Sequence, residues 1–593
     1  MMGSPQLDDL PAHTGDVRGR GAGVDQPRIQ VVTGEDARRL LRDESFVRRW
    51  EVLARACAWR TPFLEPAYVR TWYDCYAETA APVLVHAQGR DGTLVGLLPL
   101  TSVDGGEVLT GAGAHQAEYQ GWLAVPGATA FVGDALDALR DRTSARRLTL
   151  RYLPSGTPVE ALRAHPTWGR AADVLPFSRA LMRADADDAA KSLKKSANRS
   201  KLARLGRVGP VRLERLTDRP ALEAVIDEIA DFCDLRQGAV NGVLPFRADP
   251  RKREFHLRML EQPGLLHATV LRAGDQLAAV HLGVAAEREV QLGVIAHSPF
   301  LAAHSPGKLL LLFLARALAD EGFTFLDLTP GGSYKERFAT EHDTVHVAEV
   351  YLRASAAVEA RARARVRATV RAGVIRAASA LGTDAASLRR RVATAAGRLR
   401  PMPQLPKRLV RGVRDRVSSR SDCLFYRMSA EQARALPAQD VAFRRDSVSD
   451  VLCYAPATPD DRPRQQFLSD ALDRLENGRH VYTLVERGVL VHFAWLIEEQ
   501  AVSGSEYGQP YELAPRSCVL YDDYTHPTAR GRGLHKASLV ARARDAATTL
   551  PVDWIYISVL AENTPSRRNI ERVGFVRCAQ FTKVTRLGRT TLS

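Results

Sequence analysis

The residues Leu520-Tyr521-Asp522-Asp523-Tyr524-Thr525-His526-Pro527-Thr528-Ala529-Arg530-Gly531-Arg532-Gly533-Leu534-His535 join a strand-like run to a turn of small residues and then to a helix start. The run begins at Ser517, is rich in apolar and aromatic side chains, and is stopped by Pro527. Gly531 and Gly533 let the backbone come close to a ligand. The first N–H groups of the following helix have no partner inside it and point outward, a setting that favours a pyrophosphate. From Leu534 to Leu550 the chain is rich in Ala, Leu, Arg and Lys, with Leu539, Val540 and Ala543 on one helical face. Trp554 to Val559 alternates as a strand does, and Asn563-Thr564-Pro565-Ser566 opens a short helix that ends at Gly574. The expected order is strand, phosphate turn, helix, strand, helix.

That order resembles the GNAT acyltransferases, whose acyl-CoA motif reads Arg/Gln-x-x-Gly-x-Gly/Ala and whose next motif runs from Asn-x-x-Ser/Ala to Gly-Phe. Arg530, Gly533, Asn563, Ser566, Gly574 and Phe575 fall on matching positions. The resemblance implies acetyl-CoA or another acyl-CoA as co-substrate, held by Thr525, Arg530, Gly531, Arg532, Gly533, Leu534, His535, Asn563 and Ser566. His535 departs from the motif, standing where a second Gly or Ala is usual, and either faces the pyrophosphate or points to solvent. Ile570 stands where many members place a Tyr that protonates the leaving thiolate; Tyr556 is a candidate substitute, or a tyrosine of the core. In such transfer an amine attacks the thioester carbonyl directly, which needs a base, a donor to the carbonyl and an acid. Asp522, Asp523 and Tyr524 end the strand beside the turn, so an acid there is a candidate base; the alternative is that both aspartates merely cap the strand end.

At 593 residues the chain is too long for one core. Its 45% hydrophobic and 25% charged content is that of a globular protein. Residues 1–28 carry no apolar segment and read as a disordered tail, not a signal peptide, so a cytoplasmic location is expected. The seven cysteines are scattered without a Cys-x-x-Cys pair, so reduced thiols and no metal site are expected. The formal charge of +15 is confined: residues 356–420 hold 17 Arg plus Lys against Glu359, Asp384 and Asp415, a net of +14, leaving +1 elsewhere. This segment, within a linker at 354–420, reads as a solvated helical connection, as an amphipathic helix on an anionic membrane surface, or as a grip on tRNA. No specific DNA binding is expected.

Before the linker, residues 29–353 carry strands expected at Leu266–Arg272, Ala278–Val284 and Val290–Ile295. Ser305-Pro306-Gly307-Lys308 then opens the helix Leu309–Ala319, and Phe325-Leu326-Asp327-Leu328 leads to Gly331-Gly332-Ser333-Tyr334-Lys335-Glu336-Arg337-Phe338. Ser305, Gly307 and Lys308 are the counterpart of the C-terminal phosphate turn. Tyr334, Lys335 and Arg337 follow a Gly-Gly turn, where a cation could meet a phosphate or carboxylate, and Arg236 is a weaker candidate for the same task. His281, on an apolar strand, reads as a core histidine. With Thr61-Pro62-Phe63 and Gly96-Leu97-Leu98-Pro99-Leu100, this set resembles the CelD-like acetyltransferases, which look like two GNAT-type folds in tandem and are distant relatives of the Fem-type aminoacyl transferases. The expected class is α/β with mixed sheets: repeated GNAT-type folds, the last at 421–593. The resemblance implies N-acylation of an amine on a small metabolite, an amino sugar or a cell-envelope precursor. The rivals are aminoacyl-tRNA-dependent transfer of the Fem type and a non-catalytic membrane-surface or scaffold protein with decayed acyl-CoA sites.

Overall fold

The computed structural model describes residues 27–362, 418–498, 513–586 and 589–592. Most of the tail and of the Arg-rich linker lie outside these residues. The mixed α/β class holds, and the chain divides into two compact units. Residues 230–248 and 298–303 group with the second unit, together with the chain from 374 onward; the rest belongs to the first.

A ten-stranded sheet is the frame of the first unit. From one edge it runs Arg28–Thr33, Ala81–Gln88, Leu94–Val103, Val108–Gly111, Arg147–Leu153, Glu341–Tyr351, Ala172–Arg183, Phe325–Pro330 and Glu289–Gln291, with Leu123–Ala124 attached beside Leu94–Val103. A second sheet runs Val294–His297, Gln276–Val284, Leu266–Ala273 and Val211–Leu216. The second unit is built on an eight-stranded sheet in which Val489–Ile497, Ser517–Thr525, Trp554–Leu560 and Ser418–Ser429 are adjacent.

Among the described residues three strand pairs are parallel, and each is bridged by one long helix. They are Val108–Gly111 with Arg147–Leu153 across the helix Phe131–Arg142, and Glu289–Gln291 with Phe325–Pro330 across Pro306–Asp320. The third is Ser517–Thr525 with Trp554–Leu560 across Leu534–Thr549. A parallel pair needs such a crossover, and its strands are covered on both faces. In the second crossover Leu311, Leu312, Leu314 and Leu318 pack on Val290, Leu292, Leu326 and Leu328. In the third, Leu539, Val540, Ala543 and Ala546 pack on Leu520, Ile555 and Ile557. Burying each large aliphatic side chain contributes roughly 1.5–3 kcal/mol, which seats the helices.

The strand expected at Val290–Ile295 is broken. Leu292 N–H still donates to the Asp327 carbonyl at 2.8 Å, but Val294 already pairs with Leu282 in the other sheet. Two glycines permit the switch. A Cβ at Gly293, where φ is +47°, would lie 2.1 Å from the Leu282 carbonyl oxygen, and one at Gly283 would lie 1.8 Å from that of Gln291. Gly293→Ala should therefore cost on the order of 2–3 kcal/mol in urea unfolding. Gly488→Ala, at φ +75° with open space around it, should cost about 1 kcal/mol as a control. Equal losses in the two variants would show that the strand crossing is not tight.

Four buried histidines predict the response to acid. Burial pushes His86, His256 and His281 down to about 4 and His492 to about 3. An unfolded histidine titrates near 6.5. Below that pH the unfolded chain takes up protons that the folded chain refuses, so stability is lost progressively as pH falls from about 6.5 towards 4. The urea midpoint should be clearly lower at pH 5.5 than at pH 7.5, and a midpoint that does not move would contradict the burial of these rings.

Candidate functional site

In the C-terminal crossover the parallel partners run from Ser517 with Trp554 to Leu520 with Ile557 and stop there, although both strands continue. Beyond that point the first strand keeps only its antiparallel neighbour. It bulges there by one residue, with Asp522 at φ +48°. Asp522 is bound by both Arg462 (2.6 Å) and Arg474. Burial pushes its carboxyl up, but the hydrogen bond from Arg462 and the charge of Arg474 outweigh this and hold it below the usual range. A carboxylate so held accepts a proton less readily than a free one, and Asp522 anchors the bulge. Asp523 is bound by the fully buried Arg542, which also donates to the Trp495 carbonyl at 2.9 Å.

Tyr524 stacks on Phe493 at 5.1 Å and donates to Asp461 at 3.3 Å. Burial, then the Asp461 charge, pushes its hydroxyl up to about 12, so it keeps its proton at neutral pH. Tyr556 is a core residue, 1% exposed, whose hydroxyl accepts from the Ala514 N–H at 3.4 Å. The Thr525 hydroxyl meets His492 Nδ1 at 2.9 Å.

The turn itself is open. Gly531 (φ +79°) and Gly533 (φ +77°) have nothing within 4 Å of where a Cβ would sit, and the helix begins at Leu534 without a side-chain cap. Arg530 Nε reaches back to the Thr525 carbonyl at 3.2 Å. Arg532 is held by two bonds to Glu486, at 2.8 and 2.7 Å. His535 takes neither expected direction. Its ring turns inward, with Nδ1 3.1 Å from the Asn569 amide and Nε2 3.6 Å from Asp523, so it can offer the turn only its backbone N–H. Asn563 caps the next helix through the Ser566 N–H at 3.3 Å, and Gly574 ends that helix at φ +104°. Ile570 is core.

The second crossover carries a denser set of charges. Asp327 is 0% exposed; it accepts from the Tyr119 hydroxyl at 2.5 Å, the Thr329 N–H at 2.7 Å and Arg179 at 3.3 Å. Arg179 also binds Asp343 (2.7 Å) and Glu289 (3.2 Å). Burial alone would lower Arg179, but these carboxylates keep it a cation, while burial pushes Asp327 and Glu289 upward. The strand bulges by one residue between Asp327 and Pro330, and Thr329 sits at φ +60°, a strained position for a β-branched residue. Lys335 folds in and donates to the Thr329 hydroxyl (2.8 Å) and carbonyl (3.2 Å); burial lowers it, against the charges of Glu118 and Asp327.

Of the candidates named with it, Lys335 alone is buried. Tyr334 and Arg337 are exposed, because the Gly331-Gly332 turn presents only Lys335 inward. Arg236 belongs to the second unit, where it pairs with Glu476 at 2.5 Å. At the second crossover's own turn Ser305 is left-handed at φ +52° and accepts from Lys201 at 2.8 Å; Lys308 is exposed, and a Cβ at Gly307 would approach the His297 ring to 3.2 Å. His281 is a core histidine whose Nε2 lies 3.0 Å from the Gln291 carbonyl. Sequence reading passed over Glu118, Tyr119, Arg179, Glu289 and Gln291, which no local motif marks. Arg179 and Asp327 meet across 148 residues of chain.

Residues 193–338 match the family model described as an acetyltransferase (GNAT) domain. That range takes in the second crossover and ends beside Lys335; it does not reach the C-terminal turn. No curated protein matches the chain. Among solved structures, FemX is 9% identical, with 51% of this chain and 96% of that one covered at a TM-score of 0.38. L-PGS from Bacillus licheniformis is 11% identical, covering 45% and 83%, at 0.31. A GNAT-family acetyltransferase from Colwellia psychrerythraea is 15% identical, covering 29% and 57%, at 0.22. Likenesses this weak bear no weight for what the chain does. In residues 193–338 the chain carries a domain of the GNAT acetyltransferase family, an acyltransferase class.

Proposed function

We propose that the chain is an acyl-CoA-dependent N-acyltransferase, acting on the amine of a small metabolite, an amino sugar or a cell-envelope precursor. The observation that carries this reading is the parting of a parallel strand pair whose first strand leads on to a helix start. It occurs at Leu520 and Ile557, and again where Leu292 leaves Asp327. An extended thioester chain can take up the backbone groups left between parted strands, while its pyrophosphate meets the N–H groups of the helix start. The open glycines at 531 and 533 fit the C-terminal turn for that role, and Lys201 beside Ser305 fits the other. The acyl carbonyl then stands near the carboxylates that end each strand.

Titrating the full-length chain with acetyl-CoA in a calorimeter tests the reading. Binding heat is expected, and Gly307→Asp and Gly533→Asp should each weaken their own turn at least tenfold, or about 1.4 kcal/mol, by setting a negative charge against the phosphates. The variant that also stops thiol release identifies the catalytic crossover. Absence of heat from the unaltered chain would sink the reading, and salt-sensitive binding of tRNA in its place would favour an aminoacyl-tRNA donor.

A further inference from the structure

The first crossover has a long lead-in to its helix. Between its strand Val108–Gly111 and its helix Phe131–Arg142 runs a long connection, and residues 112–120 of it are fastened on several sides. Gln120 donates to the Ala114 carbonyl at 2.8 Å and accepts from the Arg151 N–H at 3.0 Å; Gln116 donates to Asp249 at 2.8 Å. Ala114 is held at φ +40°. This loop puts the Tyr119 hydroxyl on Asp327, with Glu118 next to it in the chain.

Glu118 differs from the other carboxylates there. It is half-buried instead of sealed, and among the described residues it makes no ion pair, whereas Asp327, Glu289 and Asp343 all share Arg179. Arg151 and Lys335 face it as cations, Asp327 as an anion, and Tyr68 as a neutral phenol. Burial pushes its carboxyl above the usual range, against the pull of Arg151 and Lys335. Two neutral groups have no hydrogen-bond partner among the described residues. The Tyr68 hydroxyl, on a residue 0% exposed, lies against the loop, 3.2 Å from where a Cβ of Gly113 would sit. The Gln291 amide, on a residue 1% exposed, lies on the strand residue directly opposite Asp327. Orphaned buried groups of this kind suit the hydroxyls of a ligand.

We propose that the loop 112–120 forms the acceptor half of the second crossover's site, with Glu118 taking the proton of the attacking ammonium and Tyr68 and Gln291 receiving hydroxyls of the acceptor. This rests on the acyl-CoA reading above. The ammonium gives one proton to the Glu118 carboxylate, and the nitrogen lone pair bonds to the thioester carbonyl carbon. The carbon–sulfur bond then breaks with its electron pair on sulfur; the second nitrogen proton passes to the thiolate, and Glu118 returns its proton to solvent.

Thiol release from acetyl-CoA by the full-length chain tests this, with glucosamine as the probe amine and cyclohexylamine as a hydroxyl-free comparison. Glu118→Gln should lower kcat roughly 100-fold at neutral pH, with acetyl-CoA binding unchanged by calorimetry. The fall in rate at acidic pH shown by the unaltered chain should disappear, and Glu118→Asp should restore part of the rate. Tyr68→Phe, which removes only the unpartnered oxygen, should raise KM for glucosamine several-fold and leave KM for acetyl-CoA alone. A Glu118→Gln rate within twofold of the unaltered chain with the acid limb kept, or acetyl-CoA binding without acetylation of glucosamine, overturns the proposal while leaving acyl-CoA binding intact. Cyclohexylamine used as well as glucosamine overturns the role of Tyr68 and Gln291. A chain that gives no heat with acetyl-CoA takes down both readings.

Discussion

A parallel strand pair can let go only where something else satisfies the backbone groups it frees, and this constraint organises both units. The pairs at Glu289–Gln291 with Phe325–Asp327 and at Ser517–Leu520 with Trp554–Ile557 are short because their strands are taken over by other neighbours. In the first unit the departing strand crosses to a second sheet, which Gly283 and Gly293 make sterically possible. In the second unit the strand stays in its sheet and bulges at Asp522. Either way the two strands end apart, with polar side chains gathered at the gap.

How each gap is neutralised then sets its chemistry. Asp522 faces two arginines and is locked as an anion, so its end of the strand is electrostatically settled. Around Arg179, Lys335 and Arg151 stand Asp327, Glu289, Asp343 and Glu118, four carboxylates against three cations. An excess acid in a partly dry setting has its proton affinity raised above that of an exposed carboxyl. The family match falls on this second arrangement, whereas the sequence motif is better kept in the first. Motif quality and charge arrangement therefore point to different crossovers.

Much of the architecture could be read from local pattern. Pro527, the paired glycines, the alanine-rich helix and the Asn563 cap each act over a few residues, so Leu534–Thr549 and Thr564–Val573 lie close to where spacing puts them. The direction of His535 could not be read, because Asp523 and Asn569, which draw it inward, come from other elements. Nor could the split at Leu292–Gly293: nothing local marks it, and Leu282, which takes up Val294, comes from the strand of another sheet. Glu118 and Tyr119 sit in a stretch without periodicity, and their task is visible only once Asp327 has been folded against them.

The strand Glu341–Tyr351 lies in the interior of the ten-stranded sheet, between Arg147–Leu153 and Ala172–Arg183. A ribosome delivers these two neighbours long before it delivers the strand that joins them. While the nascent chain ends anywhere between residues 183 and 341, both carry an open edge, the kind of surface that templates pairing with other chains. The first crossover, although it emerges first, thus cannot close its sheet until nearly the whole unit has been synthesised. Its open edge is therefore exposed through most of the unit's synthesis.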